Sequence, residues 1–259
     1  LGYMSIPFQV MDTTHFWRSS RLQVKGTTLR FDSSRHFSFM SNMTDIRARV
    51  TSKVGVIPFN LPPVTGNEIT YLVDALRRRE LEANNYYTGR CEAWLQERVG
   101  ISYALLTHSC TAALEMAAIL AELGPGDEVI MPSYTFPSTA NAAVLRGSVP
   151  VFVDIRPDTL NIDPGKIEAA ITPRTKAIFV VHYAGVCADM DEINAIARRY
   201  GLSVVEDAAQ ALLSRYRGRP AGGLGDLACF SFHASKNIIA GEGGALTVNH
   251  SDFAERAYI

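Results

Sequence analysis

The chain has 259 residues, 47% of them hydrophobic, and a formal net charge of −1. That is apolar material for a large core, and the balanced charge argues against a nucleic-acid or polyanion partner. The four scattered cysteines (Cys91, Cys110, Cys187, Cys229) form no CxxC pair, and no run approaches the roughly 18 apolar residues of a membrane span, so neither a zinc site, a disulfide framework nor a membrane span is expected and a reducing cytoplasm fits best.

Residues 1–55 stand apart. They carry eight Lys or Arg against three Asp, which makes them +5 and leaves −6 for the remainder. They are rich in Ser, Thr and Phe and sustain neither a helical nor a strand period. Such an Arg- and Ser-rich, acid-poor stretch also fits a transit peptide. The reading adopted is an atypical basic N-terminal extension that is disordered. Residues 56–259 form the second segment, which stops at Ala257-Tyr258-Ile259 inside a helical pattern, as a truncated domain would.

From Val56 onward helix and strand patterns alternate. Glu68 to Arg79 and Arg90 to Val99 read as helices, and Tyr103 to Thr107 as a short apolar strand. A helix over Thr111 to Leu123 is closed by Gly124-Pro125-Gly126. Glu128 to Met131 is a strand, Ser138 to Leu145 a helix, Val149 to Asp154 a strand and Pro164 to Ala170 a helix. Ala177 to His182 is a strand, and Met190 to Tyr200 a helix with Gly201 past its end. Ser203 to Glu206, Leu227 to Phe232 and Ala245 to Val248 complete the strands. Apolar strands separated by helices predict an α/β fold with a mainly parallel sheet covered on both faces.

In such sheets ligands gather outside the carboxyl ends of the strands, so the residues following each strand carry the functional reading. After the first comes His108-Ser109-Cys110-Thr111, small and hydroxyl residues at a helix start. They suit either a phosphate seat or an ordinary N-cap. After Glu128 to Met131 comes Pro132-Ser133-Tyr134-Thr135-Phe136, whose aromatics either stack on a planar ligand or belong to the core. Val204-Val205-Glu206-Asp207-Ala208-Ala209-Gln210 ends a buried strand in two carboxylates. A desolvated, ionised Asp207 needs a partner, which is a protonated ring nitrogen, an ion pair or a helix cap. After Leu227 to Phe232 comes Lys236, ahead of the glycine bend Gly241-Glu242-Gly243-Gly244. In a desolvated pocket a lysine becomes a nucleophile toward carbonyls. Lysine, acid, phosphate seat and aromatic platform at equivalent strand ends together suit pyridoxal 5'-phosphate (PLP).

The stretches "SCTAALEMAA", "PGDEVIMPSYTF", "STANA", "FVDIRPDTLNID", "VHYAGV", "VVEDAAQ" and "CFSFHASKN", together with Ile57-Pro58-Phe59-Asn60, resemble the DegT/DnrJ/EryC1/StrS sugar aminotransferases over Val56 to Ile259. The resemblance implies the large domain of a fold-type-I PLP-dependent transferase. It implies that Lys236 carries the cofactor as a Schiff base and moves the proton, and that Asp207 holds the ring nitrogen protonated. Gln210 would lie near the ring's phenolic oxygen, Phe136 on the ring face, and Cys110, Thr111 and Ser231 at the phosphate. Thr88 would lie near the substrate. The implied reaction moves an amino group from glutamate to the 4-keto carbon of a dTDP-4-keto-6-deoxyhexose, giving dTDP-4-amino-4,6-dideoxygalactose for polysaccharide biosynthesis. The implied assembly is a homodimer with its sites at the subunit interface. Relatives that dehydrate the sugar carry His where Lys236 stands. Two departures are expected to matter: relatives continue past Ile259 into a smaller domain, and the glycine bend is one residue shorter here. A non-catalytic fragment of such an enzyme is therefore the competing reading.

Overall fold

Strands with both faces buried must be apolar at successive positions, and here they are. Along β4 (Glu128–Pro132), Val129 and Met131 point to one side and Ile130 to the other; along β6 (Thr175–Val181), Ala177 and Phe179 oppose Ile178 and Val180. The computed structural model describes residues 60–257 and, before them, the strands β1 (Leu22–Val24) and β2 (Thr27–Leu29). The chain divides into two units, Leu1–Pro58 and Phe59–Ile259. In the first, β1 pairs antiparallel with β2. The disorder expected for the rest of residues 1–55 lies outside the described residues.

In the second unit the helices are α1 (Glu68–Arg78), α2 (Tyr86–Val99), α3 (Cys110–Leu120), α4 (Pro137–Val144), α5 (Met190–Tyr200) and α6 (Ser251–Ala257). The remaining strands are β3 (Tyr103–Thr107), β5 (Val149–Val153), β7 (Ser203–Asp207), β8 (Arg215–Tyr216), β9 (Arg219–Pro220), β10 (Leu227–Ser231) and β11 (Gly244–Val248). Five of these, with β4 and β6, form one sheet in the order β3-β11-β10-β7-β6-β4-β5, and β8 pairs with β9 apart from it. β11 runs antiparallel to both its neighbours, and every other pairing in that sheet is parallel. Residues of α3, α4 and α6 pack on one face, around Phe179, Val205, Leu227 and Leu246. Residues of α5 and α2 cover the other, against Ile130, Ile178 and Val204 in one cluster and Ala104, Phe230 and Ala245 in the next. The expected mainly parallel α/β sheet is the observed one.

The local departures have local causes. Residues expected as a helix from Pro164 to Ala170 form two 3₁₀ turns, Pro164–Lys166 and Glu168–Ala170. Pro164 and Gly165 suit a turn whose Asp163 carboxylate accepts from the Gly165 N–H, and too few residues follow to nucleate a helix. Helix α2 begins at Tyr86 rather than Arg90, because the Asn85 side chain accepts from the N–H groups of Tyr87 and Thr88 and so caps it. Helix α3 ends at Leu120, short of the expected Leu123, where Glu122 turns left-handed (φ 56°). Helix α1 is amphipathic yet buries none of its residues, and Ile69, Leu72 and Leu76 are each more than half exposed.

One buried knot holds the middle of the sheet. The Glu206 carboxylate, fully buried on β7, accepts from the backbone N–H groups of Gly222, Leu224 and Gly225 at 2.8, 2.7 and 2.6 Å, and from His182 Nε2 at 2.9 Å. His182 Nδ1 accepts from the Ala188 N–H, which fixes the ring as the neutral tautomer with its proton on Nε2. Replacing Glu206 by Ala leaves four donors without an acceptor, so Glu206→Ala is expected to cost roughly 3 to 5 kcal/mol. Urea unfolding at neutral pH checks this, and an unchanged midpoint would contradict the knot's role.

Candidate active site

Every chemistry-bearing side chain singled out after a strand arrives at one edge of the sheet. Strand β7 ends in Asp207, β10 ends in Ser231 a few residues before Lys236, β3 leads into α3, and β4 leads into the Phe136 turn and α4. They surround a cavity of about 540 Å³. Of the eight residues named from the sequence, Cys110, Thr111, Phe136, Asp207, Gln210, Ser231 and Lys236 line it, whereas Thr88 does not. Thr88 sits in the first turn of α2, with its N–H and hydroxyl directed at the Asn85 side chain.

The start of α3 is open toward an anion. Ser109 is the N-cap, and its hydroxyl accepts from the Ala112 N–H at 3.1 Å. The Ala113 N–H goes to the Ser109 carbonyl. The N–H groups of Cys110 and Thr111 are left at the positive end of the helix, the arrangement that seats phosphate. The Thr111 and Ser138 hydroxyls lie 2.7 Å apart beside them. Strand β11 packs directly under this turn: a Cβ at Gly244 would stand 2.5 Å from the Cys110 nitrogen, so only glycine fits there.

Asp207 is 5% exposed. Its Oδ2 accepts from the Thr139 hydroxyl at 2.6 Å and its Oδ1 from the Ala209 N–H at 3.2 Å. Burial pushes its carboxyl above the usual carboxylate range, against the pull of those two donors and of Lys236. Burial likewise pushes the Cys110 thiol up and keeps it protonated.

Lys236 is half-buried and makes no hydrogen bond or ion pair among the described residues. Its backbone is held well. The Lys236 N–H donates to the His233 carbonyl, Asn237 Nδ2 to the Leu212 carbonyl, and Asn60 Nδ2 to the Ala234 carbonyl. The glycine bend returns along this loop, with the Phe232 N–H donating to Gly243 O and the Ala234 N–H to Gly241 O. Gly241 has φ +83°, a conformation glycine adopts without strain.

Phe136 is 70% exposed at the cavity rim, with its ring open to a ligand. Gln210 Oε1 accepts from the Ala184 N–H at 2.7 Å, which turns the amide's donor end free. Sequence reasoning missed Thr139 and Tyr183. Tyr183 follows β6 and its phenol lies 3.1 Å from that of Tyr134, while Thr139 is recognisable only once α4 is docked against β7.

This architecture is the large domain of a PLP-dependent transferase of fold type I. The chain belongs to the DegT/DnrJ/EryC1/StrS aminotransferase family, whose model matches residues 63–259. It is 44% identical over 200 residues to the spore coat polysaccharide biosynthesis protein SpsC of Bacillus subtilis (strain 168), covering 77% of this chain and 51% of that one. It is 42% identical over 195 residues to GDP-perosamine synthase of Caulobacter vibrioides, covering 75% and 53%. The crystal structure of DesI in the presence of its TDP-sugar product superposes with a TM-score of 0.72 at 39% identity, over 77% of this chain and 50% of that one. The chain thus spans about half the length of the curated relatives it matches. Pyridoxal phosphate is the cofactor of this family, and the cavity has the groups that fit it. Among the described residues these are an amine without a partner, a buried acceptor-only carboxylate with no bonded cation, and two open N–H groups at a helix start.

Because Asp207 is harder to ionise folded than unfolded, the folded state binds more protons between the ordinary aspartate range and the raised value. Its contribution to stability therefore falls as pH rises through that window. Asp207→Asn is expected to stabilise the ligand-free protein by about 1 kcal/mol at neutral pH, while the advantage shrinks toward acid pH. Thermal unfolding of both proteins from acid to neutral pH measures the difference.

Proposed function

We propose that this chain is the cofactor-binding domain of a nucleotide-sugar aminotransferase that takes the amino group of glutamate and delivers it to the 4-keto carbon of a dTDP-4-keto-6-deoxyhexose. The product is then dTDP-4-amino-4,6-dideoxygalactose, a precursor for enterobacterial common antigen or an O-antigen. The observation that carries the reading is that Lys236 and Asp207 open onto one cavity whose third wall is the start of α3. Bound pyridoxal phosphate supplies a ring that withdraws electrons from the carbon bearing the amine. Asp207, placed at the cavity floor, holds a proton on the ring nitrogen. The Cys110 and Thr111 N–H groups bind the phosphate, with the Thr111 and Ser231 hydroxyls beside them. Phe136 covers one ring face, and the Gln210 amide donates to the ring edge. The Lys236 amine, free of other partners among the described residues, picks up and returns the proton of the reacting carbon. Thr88 is assigned to the substrate side on the motif resemblance alone.

The nucleotide-sugar class is supported by relatives that the names DesI with its TDP-sugar product and GDP-perosamine synthase describe. The choice of dTDP, of the galactose-configured product and of glutamate rests on the sequence motifs. Lys236 in place of His favours amino transfer over sugar dehydration. Homodimer assembly and a cytoplasmic setting belong to the same reading; among the described residues no helix is long and apolar enough to cross a membrane. A second reading is a domain that binds cofactor without turning over; the chain spans about half the length of its curated relatives.

Absorption spectroscopy separates them. The purified chain mixed with PLP is expected to develop a visible band that Lys236→Ala lacks, and added glutamate is expected to bleach it. A band that glutamate leaves untouched supports the second reading, and no band in the wild type overturns both.

A further inference from the structure

Thr139 occupies the first turn of a helix, where a threonine hydroxyl ordinarily caps backbone N–H groups. Here it does not. Pro137 has no N–H to cap, and the Thr139 N–H is already taken by the Phe136 carbonyl at 3.1 Å. The fully buried hydroxyl leaves its own helix and reaches β7, donating to Asp207 Oδ2 at 2.6 Å. Behind it stands the Thr135 hydroxyl, 2.7 Å from Thr139 Oγ1 and on the cavity wall. The direction of this chain is fixed by valence. An ionised carboxylate only accepts, so Thr139 donates to Asp207; its single proton is then spent, so it accepts from Thr135.

We propose that Thr139 is a positioning residue for Asp207, and that Thr135 and Thr139 form a one-way hydroxyl relay. The relay fixes the carboxylate's rotation and leaves its outward lone pairs for a protonated ring nitrogen. The inference rests on the cofactor reading of the cavity given above. Among the described residues no cation bonded to Asp207 competes for the role. The titratable groups facing it are Lys236, His182, Cys110 and Cys229. Lys236 makes no ion pair with it, His182 is neutral and bonded to Glu206, and both thiols are kept protonated by burial. The relay and the Ala209 N–H are the donors that hold this carboxylate among the described residues. The same turn of α4 carries Phe136, so one short element sets both the ring face and the acid beneath it.

The test titrates Asp207 in the ligand-free full chain by the ¹³Cγ shift of aspartate-labelled protein, assigned with Asp207→Asn, and measures PLP dissociation by equilibrium dialysis. Thr139→Val, nearly isosteric, is expected to move the Asp207 midpoint upward and to weaken PLP about tenfold, the value of one hydrogen bond to a charge. Thr139→Ser is expected to restore both. A midpoint that stays at the wild-type value in Thr139→Val overturns the relay. If Thr139→Val does not fold, Thr135→Val removes the outer donor from a half-buried position. It is expected to move the midpoint the same way by less, and an unmoved midpoint there also overturns the proposal. Should the wild type fail to bind PLP, the cofactor reading falls by itself, and the ligand-free titration still decides the relay.

Discussion

Strand β7 ends in two adjacent carboxylates, and the pleat sends them to opposite sides of the sheet. Glu206 turns toward the loop of residues 222–225 and is saturated by four donors. Asp207 turns toward the cavity and is left with two. A slip of one residue in the β7 register would exchange them, placing the saturated acid in the cavity and the reactive one in the knot. Parallel pairing of β7 with both β6 and β10 holds that register from two sides.

The rest of the site follows from that placement. A carboxylate this buried is stable only with donors around it. The structure supplies neutral ones and, among the described residues, keeps Lys236 unpaired. An ion pair between the two would satisfy both groups and remove both from chemistry. Instead the lysine is fixed through its backbone: the Asn60 side chain donates to the Ala234 carbonyl within the loop, and the Asn237 side chain ties the loop to the Leu212 carbonyl. The fold thereby holds two mutually attractive charges in one cavity without letting them meet.

Much of this was readable from the residues alone. Both-face burial makes strands visible as unbroken apolar runs, and the rule that ligands collect at their carboxyl ends pointed to Asp207, Lys236, Phe136 and the α3 start. What stayed hidden depends on neighbours distant in sequence. Thr139 looks like a helix-start residue until α4 meets β7, and His182 looks available until Ala188 and Glu206 claim both of its nitrogens. The early start of α2 depended on whether Asn85 caps or turns. The short, Pro-led run from Pro164 kept helical spacing while lacking the length to become a helix. Thr88, drawn from motif likeness, has no counterpart in the cavity's geometry.

The single reversed strand also sets an order of events. Strand β3, which leads into the anion-binding turn, has β11 as its sheet partner, yet β3 ends at Thr107 and β11 begins at Gly244. At typical ribosomal speeds a stretch of that length takes on the order of ten seconds to synthesise. Through that interval β3 emerges without its partner, and the start of α3 has no floor until Gly244 packs beneath Cys110. The cavity is therefore a late product of translation, and the nascent chain passes through a stage with a finished Asp207 strand and an α3 start that Gly244 does not yet back.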